Sequence, residues 1–210
     1  MSGTSIHAPS PSRQIAFHQL LVGARKTWLL DALAEALRTA DPNTVKEQLS
    51  TYVPQDVQQV LAANGIRDEQ VFPVPVVLEV KPTLIGYYRL LLGVPQKNFY
   101  KGHTGMGQFK SMETRGLFKM NRRPDLEGFC AAMAGSLADL VRQMAPPISK
   151  RDISELPLIT LGGQLQGSNN NLIGKRATEE VFITISELFK DHITSQDKRE
   201  SPSKMRPEER

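Results

Sequence analysis

The chain has 210 residues, of which 40% are hydrophobic, and it carries a formal charge of +4. These values predict one sizeable folded core, and no apolar run approaches the roughly 20 residues that cross a bilayer. The N-terminal segment lacks the apolar stretch of a secretory signal. The single cysteine, Cys130, excludes a disulfide framework and a thiolate zinc site. We therefore expect a protein of the reducing cytoplasm, not of the membrane, with a mild preference for polyanions such as nucleic acid.

The N-terminal third has the pattern of an all-helical unit. Residues 1–11 are rich in serine and proline, so we expect them to be disordered. Beyond them, apolar residues recur at helical spacing. Asp41, followed by a proline, predicts the start of a helix that ends near Tyr52, and Gly65 after an asparagine predicts the end of another. We therefore predict a helical subregion over about 12–65.

Two later segments have the composition of β-strands. Val71 to Val80 contains valine at five of its ten positions, although its two prolines indicate a sheet edge. Leu156 to Leu161 is the second candidate strand. Leu84 to Leu92 fits either a strand or a buried helix, and the spacing of its leucines favours a helix. Pro124 to Met144 has the apolar stripe of a long amphipathic helix. The sequence thus predicts an α+β fold, predominantly helical with a small β-sheet.

The C-terminal segment, residues 194–210, contains only one apolar residue, Met205. A segment of this composition cannot bury enough apolar surface to fold. We therefore predict a single helical or α+β domain over residues 12–193, between a disordered N-terminus, 1–11, and a disordered tail, 194–210.

An acid-x-base triplet ends the first candidate strand. Glu79 and Lys81 flank one residue, and residues at i and i+2 of a strand share one face. With Asp68 upstream they match the loose Asp…Glu-x-Lys pattern of metal-dependent nucleases. In that pattern Asp68 and Glu79 hold Mg²⁺ at the scissile phosphate and Lys81 assists the attacking water. Because the pattern is short, an ordinary charge pair at a strand end is the competing interpretation.

The segment from Leu90 to Lys97 resembles the middle of a helix-turn-helix, with Gly93 at the turn. Gln96 and Lys97 would then begin a second helix whose start faces a DNA groove, because glutamine and lysine suit base edges and phosphates. A plain helical hairpin with an exposed polar start is the alternative.

Two further segments combine glycine, amides and cations. The first runs from Lys101 through Lys110 to Arg115, and its glycines allow backbone amides to approach phosphates. The second is an amide-rich loop that contains Gln166 and Asn170 and precedes Lys175. We predict that the cations and amides of both segments contact DNA. The alternatives are a mobile solvated loop in the first case and turn-forming asparagines in the second.

Four longer runs carry a family resemblance: FPVPVVLEVKPTLIGYYRLLLGVPQKNFY, GMGQFKSMETRG, LADLVRQM and ELPLITLGGQLQGSNNNLIGKRAT. Together they resemble the XcyI family of type II restriction endonucleases from about Ile15 to His192. The resemblance implies a magnesium-dependent deoxyribonuclease of a restriction-modification system. Such an enzyme cuts double-stranded DNA at a short palindrome, which is CCCGGG for the best-known members. It also implies a homodimer, because a two-fold site is most simply recognised by a two-fold protein.

The sequence departs from this resemblance near its C-terminus. The family implies a longer chain, in which acids and a Glu-x-Lys triplet follow the region matched here. No such triplet occurs after Lys81, so we expect a truncated form with an incomplete restriction-endonuclease-like core. If the active site lies in this chain, it consists of Asp68, Glu79 and Lys81. The DNA contacts are then Gln96, Lys97, Lys110, Arg115, Gln166, Asn170 and Lys175. The alternatives are a non-catalytic DNA-binding protein and, less favoured, an interaction protein without a nucleic-acid role.

Overall fold

The computed structural model describes residues 11–101, 106–144 and 147–188. Short 3₁₀ turns join several of its helices. The helices are α1 (Pro11–Trp28), α2 (Leu30–Thr39), α3 (Pro42–Tyr52), α4 (Gln55–Ala63), α5 (Pro75–Val80), α6 (Ile85–Leu91), α7 (Gln96–Phe99), α8 (Lys110–Arg115), α9 (Arg123–Gln143) and α10 (Lys150–Leu188).

The chain divides into two compact units, Met1–Gly162 and Gly163–Arg210. The first unit contains α1 to α9 and the start of α10. The extent of the predicted domain, 12–193, stays a prediction. The predicted disordered ends lie outside the described residues, apart from Pro11, which begins α1.

The predicted β-sheet is wrong, because no strand occurs among residues 11–101, 106–144 and 147–188. The valine-rich segment instead forms α5. Val74 is extended and caps the helix, and Pro75 occupies the first turn, where its fixed φ suits a helix and its missing N–H is not needed. Val77 and Leu78 are fully buried. Their packing outweighs the preference of β-branched residues for strands, which is a weak and context-dependent effect.

The second predicted strand, Leu156 to Leu161, lies inside α10. Pro157 is buried and is the eighth residue of this helix, where it lacks the N–H that would otherwise donate to the Ile153 carbonyl. The helical spacing of apolar residues near the N-terminus also gave no indication that the helix is interrupted at Leu29. The backbone of Leu29 is extended, with φ −108° and ψ −159°, so α1 and α2 are separate helices that pack against each other.

The core of the first unit is centred on α6. All seven residues of this helix are buried, as expected for a helix with apolar side chains on every face. The hydroxyl of Tyr87 donates to the Gln70 carbonyl at 2.6 Å, and that of Tyr88 donates to the Glu69 carbonyl at 2.9 Å. These two bonds satisfy the buried hydroxyls and attach the 3₁₀ turn Asp68–Gln70 to α6.

Helix α9 packs against α3, α4 and α5 with the apolar side predicted from its spacing. Its buried residues include Phe129, Met133 and the cysteine Cys130, which is fully buried. Burial raises the pKa of the Cys130 thiol well above its usual value, and the carboxylates of Glu127 and Glu79 raise it further. Among the described helices, none is long and apolar enough to cross a membrane.

Candidate nucleic-acid interface

The turn between α6 and α7 is the centre of the candidate interface. Gly93 has φ +70°, a left-handed conformation that glycine adopts without steric cost. The N–H of Val94 donates to the Arg89 carbonyl at 3.2 Å, which closes the turn. The second helix, α7, has only four residues, Gln96–Phe99. It is therefore a single helical turn, much shorter than the helix that enters the major groove in a helix-turn-helix protein.

A buried ion pair holds this turn against α8. The guanidinium of Arg89 donates from Nε to Glu113 Oε2 at 3.1 Å and from Nη2 to Glu113 Oε1 at 2.9 Å. The two side chains are only 1% and 9% exposed. Such a forked pair satisfies the directional requirements of both groups, which is necessary when charges are removed from water.

Two more donors complete the coordination of the Glu113 carboxylate. The Gln96 amide donates to Oε1 at 2.9 Å, and the Tyr100 hydroxyl donates to Oε2 at 2.6 Å. Arg89 also donates from Nη1 to the Val94 carbonyl in the turn. We refer to Arg89, Gln96, Tyr100 and Glu113 as the Glu113 network. It connects α6, α7 and α8 through one carboxylate, so the three helices are fixed relative to one another.

The surroundings of the Glu113 network keep the Tyr100 hydroxyl protonated and allow the Glu113 side chain to lie close to the α6 backbone. Burial, followed by the nearby Glu113 carboxylate, raises the pKa of Tyr100 far above its usual value. The phenol therefore remains a hydrogen-bond donor. A Cβ placed on Gly86 of α6 would lie 3.3 Å from both Cγ and Cδ of Glu113. Glycine at this position lets the acidic side chain pass close to the α6 backbone.

Three of the predicted DNA-contacting cations lie on the helices that the network joins. Lys97 is on α7, whereas Lys110 and Arg115 are on α8, and all three are exposed. Gln96, the fourth predicted contact in this region, is only half-buried, but its amide is engaged with Glu113. Residues 102–105 of the predicted glycine-rich loop lie outside the described residues.

The other predicted DNA contacts lie in the second unit. The predicted amide-rich loop is wrong, because Gln166, Asn170 and Lys175 all belong to α10. Gln166 and Lys175 are exposed, and Lys175 Nζ lies 3.7 Å from Glu179 Oε1 one helical turn later. The side chain of Asn170 lies outside the described part of the structure. Gln166 and Lys175 thus occupy positions along a helix and not in an irregular loop.

The candidate metal ligand Asp68 begins the 3₁₀ turn before α5 and is half-buried. Burial raises the pKa of its carboxyl group, and the adjacent Glu69 raises it further. Asp68 lines a surface pocket of about 380 Å³ together with Lys46 and Arg67. The lining of this pocket thus contains two cations and two acids, the second acid being Glu69, which forms an ion pair with Arg67.

Glu79 and Lys81 contact different helices. Glu79 Oε1 lies 3.3 Å from Arg123 Nε of α9, whereas Lys81 Nζ lies 3.1 Å from Glu35 Oε2 of α2. Glu79 lies in α5, whereas Lys81 follows the helix with φ −135° and ψ 80°, so the two residues do not occupy alternate positions of one strand. The Glu79 oxygen is buried, and its contact with Arg123 lacks hydrogen-bond geometry.

These placements bear on whether the chain's residues fit a magnesium ion. In the parts of the chain that the structure describes, no group of three or more His, Cys, Asp or Glu side chains could hold a metal ion. Because Glu79 pairs with Arg123 and Lys81 pairs with Glu35, the three proposed catalytic residues do not form a magnesium site in this structure. The roles of Asp68, Glu79 and Lys81 stay predictions.

Sequence reasoning missed the Glu113 network. Arg89 indicated a buried ion pair, because it is the only charged residue in the apolar run from Leu84 to Leu92. A buried arginine requires a partner. Glu113 carried a weaker signal as an acid between Lys110 and Arg115. Nothing in the sequence paired the two residues.

Comparison of the sequence with known proteins identifies its family. The family model described as XcyI restriction endonuclease matches residues 18–202. The type II restriction enzyme XcyI of Xanthomonas campestris pv. cyanopsidis is 40% identical over 187 residues, which cover 87% of this chain and 56% of that protein. The type II restriction enzyme Cfr9I of Citrobacter freundii is 38% identical over 183 residues, covering 86% and 56%.

The chain thus spans little more than half the length of these two curated relatives. No solved structure matches it. The match nevertheless includes the helices that form the Glu113 network and the start of α10. The chain belongs to the XcyI restriction endonuclease family.

Proposed function

We propose that this chain is a form of type II site-specific deoxyribonuclease that acts on double-stranded DNA in a restriction-modification system. The observation that carries the proposal is the 40% identity, over 187 residues, to a protein named as a type II restriction enzyme. The proposed target is a short palindrome of the CCCGGG type, as the family resemblance implies. The reaction is hydrolysis of a phosphodiester bond in each strand.

In this proposal the Glu113 network supports the DNA-contacting surface of the first unit. Lys97, Lys110 and Arg115 are exposed on α7 and α8 and contact phosphates, and Gln96 starts the same short helix. Fixing α7 and α8 through one buried carboxylate keeps these cations at set distances before DNA arrives. Such preorganisation reduces the entropy cost of binding. Gln166, Asn170 and Lys175 provide the proposed contacts of the second unit.

Cleavage is proposed to depend on magnesium, because type II restriction enzymes generally use divalent metal ions. The described residues do not fit a magnesium site, so we derive no catalytic step through the ion. Asp68, Glu79 and Lys81 remain the proposed catalytic residues of this chain. For them to act together, the ion pairs of Glu79 with Arg123 and of Lys81 with Glu35 have to open.

These ion pairs also favour a second candidate function, a DNA-binding protein that does not cut. The four-residue α7 is too short for the recognition helix of a helix-turn-helix-like regulator, but an inactive remnant would keep the exposed cations of α7 and α8. Such a protein would not require Glu79 and Lys81 to leave their ion pairs with Arg123 and Glu35. Metal dependence separates the two candidates, since only an enzyme needs magnesium to change the DNA.

We further propose that the protein acts as a homodimer in the cytoplasm. A two-fold symmetric protein is the simplest reader of a palindromic site. The single cysteine, Cys130, is buried, which suits a compartment that keeps thiols reduced.

The test is digestion of plasmid DNA by the purified chain with and without magnesium, beside Glu79→Gln and Lys81→Ala variants. Glu127→Gln is the matched control, because Glu127 also pairs with Arg123 but is more exposed. Magnesium-dependent cutting at discrete sites that is lost in Glu79→Gln and kept in Glu127→Gln would support the enzyme and its residues.

Cutting that survives in both Glu79→Gln and Lys81→Ala would contradict the proposed catalytic residues while supporting an enzyme. A folded chain that binds DNA but does not cut it with magnesium would support the second candidate. Absence of both cutting and salt-dependent DNA binding would contradict both functions.

A further inference from the structure

A small pocket lies beside α8, and its lining is half polar and half apolar. Its volume is about 110 Å³, and its polar lining consists of Gln108, Ser111, Lys119 and Arg122. The remaining lining residues are apolar and include Leu117. The lining thus contains two cations, two neutral hydrogen-bonding groups and no carboxylate, a combination that suits a small anion.

Local backbone geometry builds this pocket. Gly116 ends α8 with φ +63°, and its N–H donates to the Met112 carbonyl at 3.0 Å. The N–H of Leu117 then donates back to the Ser111 carbonyl at 3.3 Å, so the chain reverses over the end of the helix. The pocket is therefore part of an ordered turn.

The two cations are brought to the pocket by the next turn of the chain. The N–H of Arg122 donates to the Lys119 carbonyl at 2.8 Å within the 3₁₀ turn before α9. Gln108 Oε1 accepts from Arg122 Nη1 at 2.5 Å and so orients the guanidinium at the pocket. Asp125, outside the lining, lies 3.6 Å from the same nitrogen, but both side chains are about half exposed and such pairs are weak.

The size of the pocket limits what it can hold. Sites for drug-sized ligands have volumes of about 300–1,000 Å³, and one water occupies about 30 Å³ of liquid. A volume of 110 Å³ lies well below that range and is sufficient for a compact group such as a phosphate.

We propose that this pocket binds one backbone phosphate of duplex DNA. The proposal rests on the proposed DNA-directed function and adds contacts from Lys119, Arg122, Ser111 and Gln108 to it. The apolar side chains of Leu117 and Met120 are 54% and 67% exposed; Leu117 lies in the chain reversal after α8 and Met120 in the 3₁₀ turn before α9. They provide apolar surface for the neighbouring sugars. A contact of this kind positions the protein along the duplex without reading sequence.

The test measures the affinity of the full chain for two labelled duplexes, one containing CCCGGG and one with that sequence scrambled, over a series of salt concentrations. The variants are Lys119→Ala and Arg122→Ala, and the control is Lys150→Ala, an exposed lysine at the start of α10. We expect each of the two variants to weaken binding equally for both duplexes and to lower the salt slope by about one. The control should leave the slope unchanged.

Four results would overturn the proposal. If the unmodified chain binds DNA and both variants keep its affinity and slope, the pocket does not hold a phosphate, although the proposed function stands. A loss confined to one duplex would indicate base reading instead, and a similar loss in Lys150→Ala would indicate a diffuse charge effect. If the unmodified chain shows no salt-dependent binding, the pocket proposal fails together with the proposed function.

Discussion

Arg89 and Glu113 are 24 residues apart in the sequence, yet their side chains form a two-pronged ion pair with distances of 3.1 and 2.9 Å. Removing two charges from water is costly, and only well-oriented hydrogen bonds compensate for it. Here Gln96 and Tyr100 supply further donors to the same carboxylate. The turn that carries Lys97 therefore depends on a single acidic side chain of α8.

We expect Glu113→Ala to lower the free energy of unfolding by about 3–5 kcal/mol, because it leaves the Arg89 guanidinium buried without a counter-charge. Glu127→Ala, which removes an exposed acid, is the matched control and should change it by less than about 1 kcal/mol. Urea unfolding followed by circular dichroism measures both. Equal effects of the two substitutions would show that the Arg89–Glu113 pair does not stabilise the fold.

Replacing Gly86 with alanine should destabilise the protein by about 1–3 kcal/mol, because the new Cβ would press on Cγ and Cδ of Glu113 at 3.3 Å. Four hydrogen bonds hold that side chain in place. Gly128 of α9 has no heavy atom within 4 Å of its Cβ position. Gly128→Ala should instead stabilise by about 0.5–1 kcal/mol through helix propensity. Thermal unfolding of both variants checks the difference in sign, and a stabilised Gly86→Ala would argue against a rigid network.

The alkaline titration of tyrosine should reveal the buried phenols. Burial is the largest cause that raises the pKa of each of the four tyrosines, Tyr52, Tyr87, Tyr88 and Tyr100. The unfolded chain has tyrosine pKa values of about 10 and so loses these protons first. The free energy of unfolding is therefore unaffected below about pH 10 and falls as the pH rises above it. Ultraviolet absorption should show that Tyr87, Tyr88 and Tyr100 stay protonated near pH 10 in the folded chain, in contrast to the urea-unfolded chain.

Gln96 and Lys97 are neighbours that should behave differently. Gln96→Ala removes a hydrogen bond to the Glu113 carboxylate and should cost about 1–2 kcal/mol of unfolding free energy. Lys97→Ala, at an exposed position, should change it by less than about 0.5 kcal/mol while lowering the salt slope of DNA binding by about one. Urea unfolding and duplex titration distinguish them. If Gln96→Ala left stability intact and weakened only the binding of CCCGGG, its role as a base reader would be supported instead.

Helix boundaries set by caps could be predicted from the sequence. Asp41 accepts a hydrogen bond from the Thr44 N–H at 2.8 Å, so the predicted cap of α3 is confirmed. The helix predicted to end near Tyr52 does so. Gly65, with φ +66°, follows α4 at the predicted stop. In each case the signal is local, because a side chain or a left-handed residue acts within one turn of the helix.

The helical state of α5 and of the start of α10 could not be predicted in this way. Valine preference and proline position are local, but the burial of Val77 and Leu78 depends on helices that are distant in sequence. The error in secondary structure also affected the candidate site. A strand would place Glu79 and Lys81 on one face, whereas in the structure Glu79 ends up beside α9 and Lys81, just after α5, beside α2. The Arg89–Glu113 pair was missed for the same reason: the contact is tertiary.

Cys130 gives the protein an internal reporter of its own dynamics. A thiol with a raised pKa inside α9 reacts slowly with disulfide reagents until the helix moves away from its neighbours. Because the sequence has no other cysteine, the labelling rate of the native chain measures one opening event at one place. Measuring this labelling rate with and without added duplex DNA would show whether DNA binding slows the local opening of the core. No engineered cysteine is needed for that measurement.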